Sequence, residues 1–110
     1  MRAVVTGGSR GIGRAIATRL SEDGYSVINL DLQPPEQFDR NEVHFRVDVA
    51  NEKELRAALE EALRTGPITR LVNNAGIVKP AKLEGATVSD FQQVMAVNLT
   101  AALICAQALL

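Results

Sequence analysis

Apolar residues along the chain come in short runs separated by amphipathic stretches, and the period changes from one segment to the next. Ala3-Val4-Val5 is a compact apolar run that predicts a buried strand. It feeds Thr6-Gly7-Gly8-Ser9-Arg10-Gly11-Ile12-Gly13, after which Ile12, Ile16 and Leu20 recur at the spacing of one helix face. Gly24 sits where a left-handed cap would end that helix. Ser26-Val27-Ile28-Asn29-Leu30 predicts a second strand ending at Asp31, and Val43 to Val49 a third. Between them Leu32 to Asn41, with Pro34-Pro35, is a polar loop. Asn51, with Glu54 as reciprocal partner, caps a second helix striped by Leu55, Leu59 and Leu63 and stopped by Gly66-Pro67. Ala58 and Ala62 flank that stripe. Ile68 to Val72 predicts a fourth strand running into Asn73-Asn74-Ala75-Gly76. Thr87 or Ser89 caps a third helix that passes through Phe91, Val94, Met95 and Val97 to the last residue.

Strands alternating with helices of this length predict an α/β fold built from parallel βαβ units. In a doubly wound sheet the ligand lies at the carboxyl ends of the strands, where the strand order reverses beside the first strand. The glycine turn, Asp31, Asp48 and Asn73 to Gly76 all fall on that one edge. Packing alone gives no reason for polar groups to collect there.

Composition narrows the partners. The 110 residues suit one domain or part of one, with an ordinary 46% hydrophobic and 23% charged content. A net charge of −1 without a basic block argues against nucleic acid and against an anionic membrane surface. Aromatics are confined to Tyr25, Phe38, Phe45 and Phe91, too few for a base-stacking surface. Cys105 is the only cysteine, so no internal disulfide forms, and a cytoplasmic location is the expectation. The near-apolar run Val94 to Leu110 is broken by Asn98, Thr100 and Gln107, and a buried helix is expected rather than a membrane span. His44 stands without a second ligand, so it reads as structural and no metal is expected. Lys53, Arg56, Glu60, Glu61 and Arg64 read as the solvated face of the second helix. Lys79 and Lys82 follow Gly76 without a spacing that demands a role.

The turn itself carries the chemistry. A helix that opens after glycines presents unpaired N–H groups and the positive end of its dipole, and a missing Cβ lets a diphosphate approach them. The spacing is G-x-x-x-G-x-G with an additional Gly8, and it lacks the Gly-Lys-Ser/Thr ending of a phosphoryl-transfer P-loop. Asp31 lies 18 residues past Gly13, where a carboxylate accepts from both adenosine ribose hydroxyls. A 2′-phosphate within ~4 Å of it would be repelled by about 4 kcal/mol per unit charge at an effective dielectric of about 20. NAD is therefore expected over NADP, although the Arg10 guanidinium offers a competing phosphate contact. Asp48 is placed to accept from an adenine amino group beside the backbone of Val49, or simply to enter the second helix. Asn73-Asn74-Ala75-Gly76 supplies amides for neighbouring strands and a flat backbone for a ribose.

Taken together, Thr6 to Gly13, Asp31, the Asp48-Val49 pair, Asn73-Asn74-Ala75-Gly76 and Val97-Asn98-Leu99 resemble the short-chain dehydrogenase/reductase family, over residues 3 to 110. The resemblance implies a Rossmann-type three-layer αβα domain over 1–110, incomplete because the C-terminal strands are absent from this sequence. It implies that Gly7, Ser9, Arg10, Gly11, Ile12 and Gly13 hold the cofactor pyrophosphate. Asp31 and Leu32 would meet the adenosine ribose, Asp48 and Val49 the adenine, and Asn74, Ala75 and Gly76 the nicotinamide-side ribose. Asn98 matches the helix asparagine of the family's Asn-Ser-Tyr-Lys set, which helps hold a water in the proton relay. The implied reaction is hydride transfer between a nicotinamide cofactor and an alcohol or ketone, in a homo-oligomer (dimer or tetramer). The family's serine and Tyr-x-x-x-Lys pair are not among these residues: Tyr25 has no lysine four residues on, and Ser89 precedes Asn98. A non-catalytic nucleotide-binding fragment is therefore the alternative. A Rossmann-type methyltransferase is disfavoured by Asn73 to Gly76 and Asn98.

Overall fold

The computed structural model describes all of Met1–Leu110. The elements are β1 (Arg2–Thr6), α1 (Gly11–Glu22), β2 (Ser26–Asp31), β3 (Glu42–Arg46), α2 (Glu52–Arg64) and β4 (Arg70–Val72). A short 3-10 turn, Leu83–Gly85, then precedes α3 (Val88–Met95), which continues through a π-helical segment, Ala96–Thr100, into α4 (Ala101–Leu109). The four strands form one parallel sheet in the order β3-β2-β1-β4, with Val4 opposite Ile28 on one side and Leu71 on the other. The chain thus builds outward from β1 to β3 and then returns to β1's free edge with β4. That reversal opens a crevice beside the end of β1.

Strand alternation sorts β1 and β2 onto two faces. Val5 and Val27 pack with Ala17 under α1. Val4, Ile28 and Leu30 pack on the other face with Leu55, Leu59 and Ala62 of α2 and with Ala101, Ile104 and Cys105 of α4. Central strands buried on both faces need continuous apolar runs, as the sequences of β1 and β2 supply.

The structure corrects several sequence expectations. In α1 the buried line is Gly13 and Ala17, with Ile16 and Leu20 at its edge, while Ile12 is 76% exposed. The sheet comes so close to the first turn that only small residues fit there. β3 stops at Arg46 rather than Val49; Val47 and Val49 remain buried but leave the ladder. β4 is three residues instead of five, because Ile68 and Thr69 lie outside the strand and only Arg70 to Val72 pair with β1. Leu63 is partly exposed, and Ala62 takes the buried position nearest the end of α2. The run Val94 to Leu110 is not a buried helix in the expected sense: Val88–Leu109 is long and apolar enough to cross a membrane by length and composition, and its most apolar window is 17% buried. Its packed residues are Ala101, Ile104 and Cys105.

Other signals hold as read. Asn51 accepts the Glu54 N–H at 3.0 Å to cap α2, although Glu54 Oε1 reaches back to the Asp48 N–H instead of closing the box on Asn51. Thr87 caps α3 by accepting from the Asp90 N–H at 3.1 Å. Gly24 and Gly66 take positive φ, 92° and 135°, just past α1 and α2. Arg2 crosses from β1 to donate to the carbonyls of Ala62 and Gly66, satisfying acceptors that the end of α2 leaves open.

Candidate functional site

Residues following β1, β2 and β4 close around one cleft of about 430 Å³. Thr6, the last residue of β1, organises its floor. Its Oγ1 accepts from the N–H groups of Asn74 and Ala75, at 3.1 and 3.0 Å, tying the two strands together beyond the last ladder pair. Asn74 Nδ2 returns the contact by donating to the carbonyls of Thr6 and Gly7 at 3.1 and 3.0 Å. Gly7 N–H donates to Leu30 O at 2.8 Å, so the turn is anchored to both neighbouring strands.

This closeness explains Gly7 and Gly13. Gly7 has φ +68°, and a Cβ there would sit 3.0 Å from both Ala75 Cα and Asn74 Nδ2. A Cβ on Gly13 would collide with the Gly7 carbonyl oxygen and with Asn74 Nδ2. Gly11 differs: its φ is +57° but nothing lies within 4 Å of its missing Cβ. One side of the turn is packed, and the other is an open cradle that a side chain would fill.

The helix behind the turn is electrostatically unfinished. Side chains cap α2 and α3, yet Arg10 at the N-cap of α1 makes no capping hydrogen bond. The first N–H groups of a helix lack intrahelical partners, and the dipole makes that end attractive to an anion.

Asp31 stands on the cleft wall at the end of β2. Its Oδ2 accepts the Ser9 N–H at 3.0 Å and its Oδ1 the Gln33 N–H at 3.1 Å, which orients the carboxylate. His44 plays the structural part expected of it, with Nε2 2.9 Å from the Asp31 carbonyl oxygen. Asp48 also lines the cleft while its Oδ1 accepts the Ala50 N–H at 3.0 Å.

Of the residues singled out from the sequence, Gly7, Arg10, Asp31, Leu32, Asp48, Val49, Asn74, Ala75 and Gly76 line the cleft together. Ser9, Gly11, Ile12 and Gly13 do not form its wall: Ser9 and Gly13 lie buried behind it, and Gly11 and Ile12 face solvent. Asn74 lines the cleft while its side-chain nitrogen donates to the glycine turn, the bond to a neighbouring strand that an amide here is expected to make. The sequence reading missed Leu30, Gln33, Val47, Ile77 and Val97 as lining residues, and they complete the wall. The buried Val47 was hidden by its assignment to a strand, and nothing in the sequence marks Gln33.

Asn98 lies at the rim inside the π-helical segment, where one extra residue per turn displaces the backbone. Its Oδ1 accepts the Ile77 N–H at 2.8 Å and its Nδ2 donates to Ile77 O at 2.9 Å. The pair clips the segment after Gly76 onto the long helix. A second cavity of about 500 Å³, whose walls include Ile77, Pro80, Phe91, Val94 and Asn98, opens on the other side of this clip. Lys79 borders it and pairs with Asp90 at 3.4 Å.

Comparison with known proteins agrees with this geometry. The family model described as short chain dehydrogenase matches residues 1–110. The chain is 34% identical over 109 residues to L-2,3-butanediol dehydrogenase of Corynebacterium glutamicum, covering 88% of this chain and 42% of that protein. Ligand-free aldohexose dehydrogenase of Thermoplasma acidophilum superposes with a TM-score of 0.91 at 33% identity, over 98% of this chain and 42% of that one. A short chain dehydrogenase of Burkholderia cenocepacia in complex with NADP superposes with a TM-score of 0.85 at 32% identity, over 97% and 48%. The chain therefore spans less than half the length of these relatives. With the family model matched from the first residue to the last and the parallel sheet shared with solved members, the chain belongs to the short-chain dehydrogenase family.

Proposed function

We propose that this chain is the cofactor-binding part of an oxidoreductase that moves a hydride between a nicotinamide dinucleotide and an alcohol or ketone. The observation that carries this reading is the uncapped start of α1, set behind an open glycine cradle at a cleft with a carboxylate on its wall. Relatives named as dehydrogenases and reductases support it. The fit is chemical as well as spatial: free N–H groups suit a diphosphate, and an acceptor-only carboxylate suits a ribose diol.

The bound cofactor supplies the hydride donor or acceptor. This chain's residues position and select. The helix-start end of the turn, from Gly11 to Gly13, offers N–H groups to the diphosphate, since those of Gly7, Gly8 and Ser9 are engaged within the fold; Asp31 accepts from the adenosine ribose, and Asp48 with Val49 borders the adenine. Ala75 and Gly76 give the nicotinamide-side ribose a wall of backbone. Asn98 pins Ile77, which lines both the cofactor cleft and the second cavity. Both ends of its side-chain amide are engaged with Ile77, so its part here is to hold that segment in place. The tyrosine and lysine that move the proton in the family are not among these residues.

Asp31 favours NAD over NADP in this reading, since its fixed carboxylate would repel a 2′-phosphate. The exposed Phe91, Leu99 and Leu103 along the long helix suit packing in a homo-oligomer, and the buried Cys105 suits a cytoplasmic protein. The test is kcat/KM with both cofactors for Asp31→Ser in the protein carrying this chain. The expected result is a wild-type preference for NAD that falls in the variant. A wild-type preference for NADP would hand the selection to Arg10.

A further inference from the structure

The additional Gly8 has no role toward a ligand: it is absent from the cleft wall and is buried. Its reason lies on the opposite side, where a Cβ would come 2.7 Å from Asn29 Oδ1. Asn29 is the one polar side chain in the middle of β2, fully buried on the face that packs under α1. Its Oδ1 accepts the Gly8 N–H at 3.0 Å, and its Nδ2 donates to Ser9 Oγ at 2.9 Å and to Glu42 Oε2 at 3.3 Å. Ser9 Oγ in turn donates to Gln33 O at 2.5 Å.

Glu42, the first residue of β3, has a fully buried side chain. Its Oε1 accepts the Asp39 N–H at 2.8 Å and its Oε2 pairs with Arg14 Nη2 at 2.8 Å. Arg14 comes from the first turn of α1, immediately after Gly13, and also pairs with Asp39 at 3.2 Å. One connected chain of polar contacts therefore holds the glycine turn at its start, through Gly8 and Ser9, and at its end, through Arg14.

The chemistry of the donors fixes its sense. A carboxylate only accepts, so Glu42 requires the nitrogen of the Asn29 amide to face it. That leaves Oδ1 pointing at the Gly8 N–H and directs the Ser9 hydroxyl onward to Gln33. With Ser9 so held, its N–H meets Asp31 Oδ2 at 3.0 Å. Arg14 Nε is the one buried side-chain polar atom left without a partner, and it lies at the far end of the network from Asn29. A buried network matched in this way specifies one arrangement, whereas a mismatched one is penalised by the unpaired groups it leaves.

We infer that Asn29, oriented by the buried Glu42, is the positioning residue that gives the glycine turn its dinucleotide-binding shape, a role that rests on the reading of the cleft given above. Neither side chain lines the cleft; both act through Gly8, Ser9 and Arg14.

The experiment uses the protein carrying this chain and reads three quantities for each variant. They are NADH binding (with NADPH in parallel) by fluorescence titration, hydrogen exchange of the Gly8 and Ser9 amides without ligand, and the midpoint of thermal unfolding. Asn29→Asp keeps size and the acceptor for Gly8 but sets a second carboxylate against Glu42. Glu42→Gln removes the charge that holds Arg14. Losing about one net hydrogen bond from the turn should weaken NADH binding about five- to tenfold in either variant and speed Gly8 and Ser9 exchange by a similar factor. In the double variant Asn29→Asp/Glu42→Gln the introduced amide can donate to the introduced carboxylate, which removes the clash of two carboxylates, while Arg14 keeps only its pair with Asp39. Its Kd should recover at least about twofold from that of Asn29→Asp without reaching wild type, since contacting residues couple non-additively. Variants that lower the unfolding midpoint while leaving both Kd and Gly8/Ser9 exchange unchanged would overturn the inference, as would a double variant no better than the poorer single. If Glu42→Gln does not fold, Asp39→Asn weakens the same network at a more exposed link, with about two- to threefold effects expected and the same refuting result. Wild-type protein that binds neither dinucleotide would refute the reading of the cleft, while the exchange data would still decide whether Asn29 and Glu42 hold the turn.

Discussion

Gly13→Ala is the substitution that most directly probes how the cleft is built. It adds one carbon inside a helix, where alanine is intrinsically favoured over glycine by about 1 kcal/mol. Propensity alone therefore predicts stabilisation. The structure predicts the reverse. The new Cβ would overlap the Gly7 carbonyl oxygen and Asn74 Nδ2 and would lie 2.9 Å from the Gly7 carbonyl carbon. Two of these atoms are backbone and cannot swing away. Overpacking of this kind costs about 1–3 kcal/mol and occasionally more, and relief by moving Asn74 would also sacrifice its bonds to Thr6 O and Gly7 O, each worth about 0.5–1.5 kcal/mol. A net loss of about 3 kcal/mol follows once the helix-propensity gain is subtracted. Gly11→Ala is the matched control: its space is open, so only the positive φ opposes the side chain, at about 1–2 kcal/mol. Urea unfolding of both variants in the protein carrying this chain, with NADH titration of the folded forms, measures the difference. Gly13→Ala should be clearly the less stable, and the NADH affinity of its folded form should fall with the displacement of Gly7. If Gly13→Ala equals wild type in stability, or if Gly11→Ala is the more damaging, the packed contact between α1 and Asn74 is not what demands glycine at position 13.

Asn98→Ala should cost about 1–2 kcal/mol through the two lost bonds to Ile77 and should speed exchange of the Ile77 amide; unchanged exchange would mean that the clip is not formed in solution. Burial pushes the Cys105 thiol up from 9.0 to about 11, so the fold favours the neutral thiol. That contribution is fully present below pH about 9 and is lost as pH rises toward 11, by about 2 kcal/mol, and Cys105→Ala should flatten the decline of urea-unfolding stability with pH; equal slopes in the two proteins would refute it. The 110 residues alone should catalyse no alcohol–ketone interconversion, because general acid–base groups contribute about 10²–10⁴-fold and no Tyr-x-x-x-Lys pair is present. Turnover by a mass-verified 110-residue species would require another base.

The order of strands and helices was legible because each element writes its period locally. β1 and β2 are apolar runs, α2 carries leucines at helical spacing, and Asn51 and Thr87 cap as side chains of their kind do. The glycine turn, Asp31 and Asn73 to Gly76 could be assigned to one rim because parallel strands joined by crossovers all end on the same edge. Distances between segments far apart in the chain were not legible. No local signal says that Thr6 Oγ1 meets the amides of Asn74 and Ala75, or that the Asn74 side chain donates to the carbonyl of Gly7. The shortened β3 and β4, the exposure of Ile12 and the π-helical turn at Asn98 likewise depend on what lies opposite each residue. Gly8 shows the difference most clearly. In the sequence it is one glycine too many for the motif, and only the folded chain brings Asn29 against it from 21 residues away. Periodicity and capping are properties of neighbours along the chain, whereas the shape of a buried polar network is set by which donors and acceptors the tertiary fold leaves to satisfy one another.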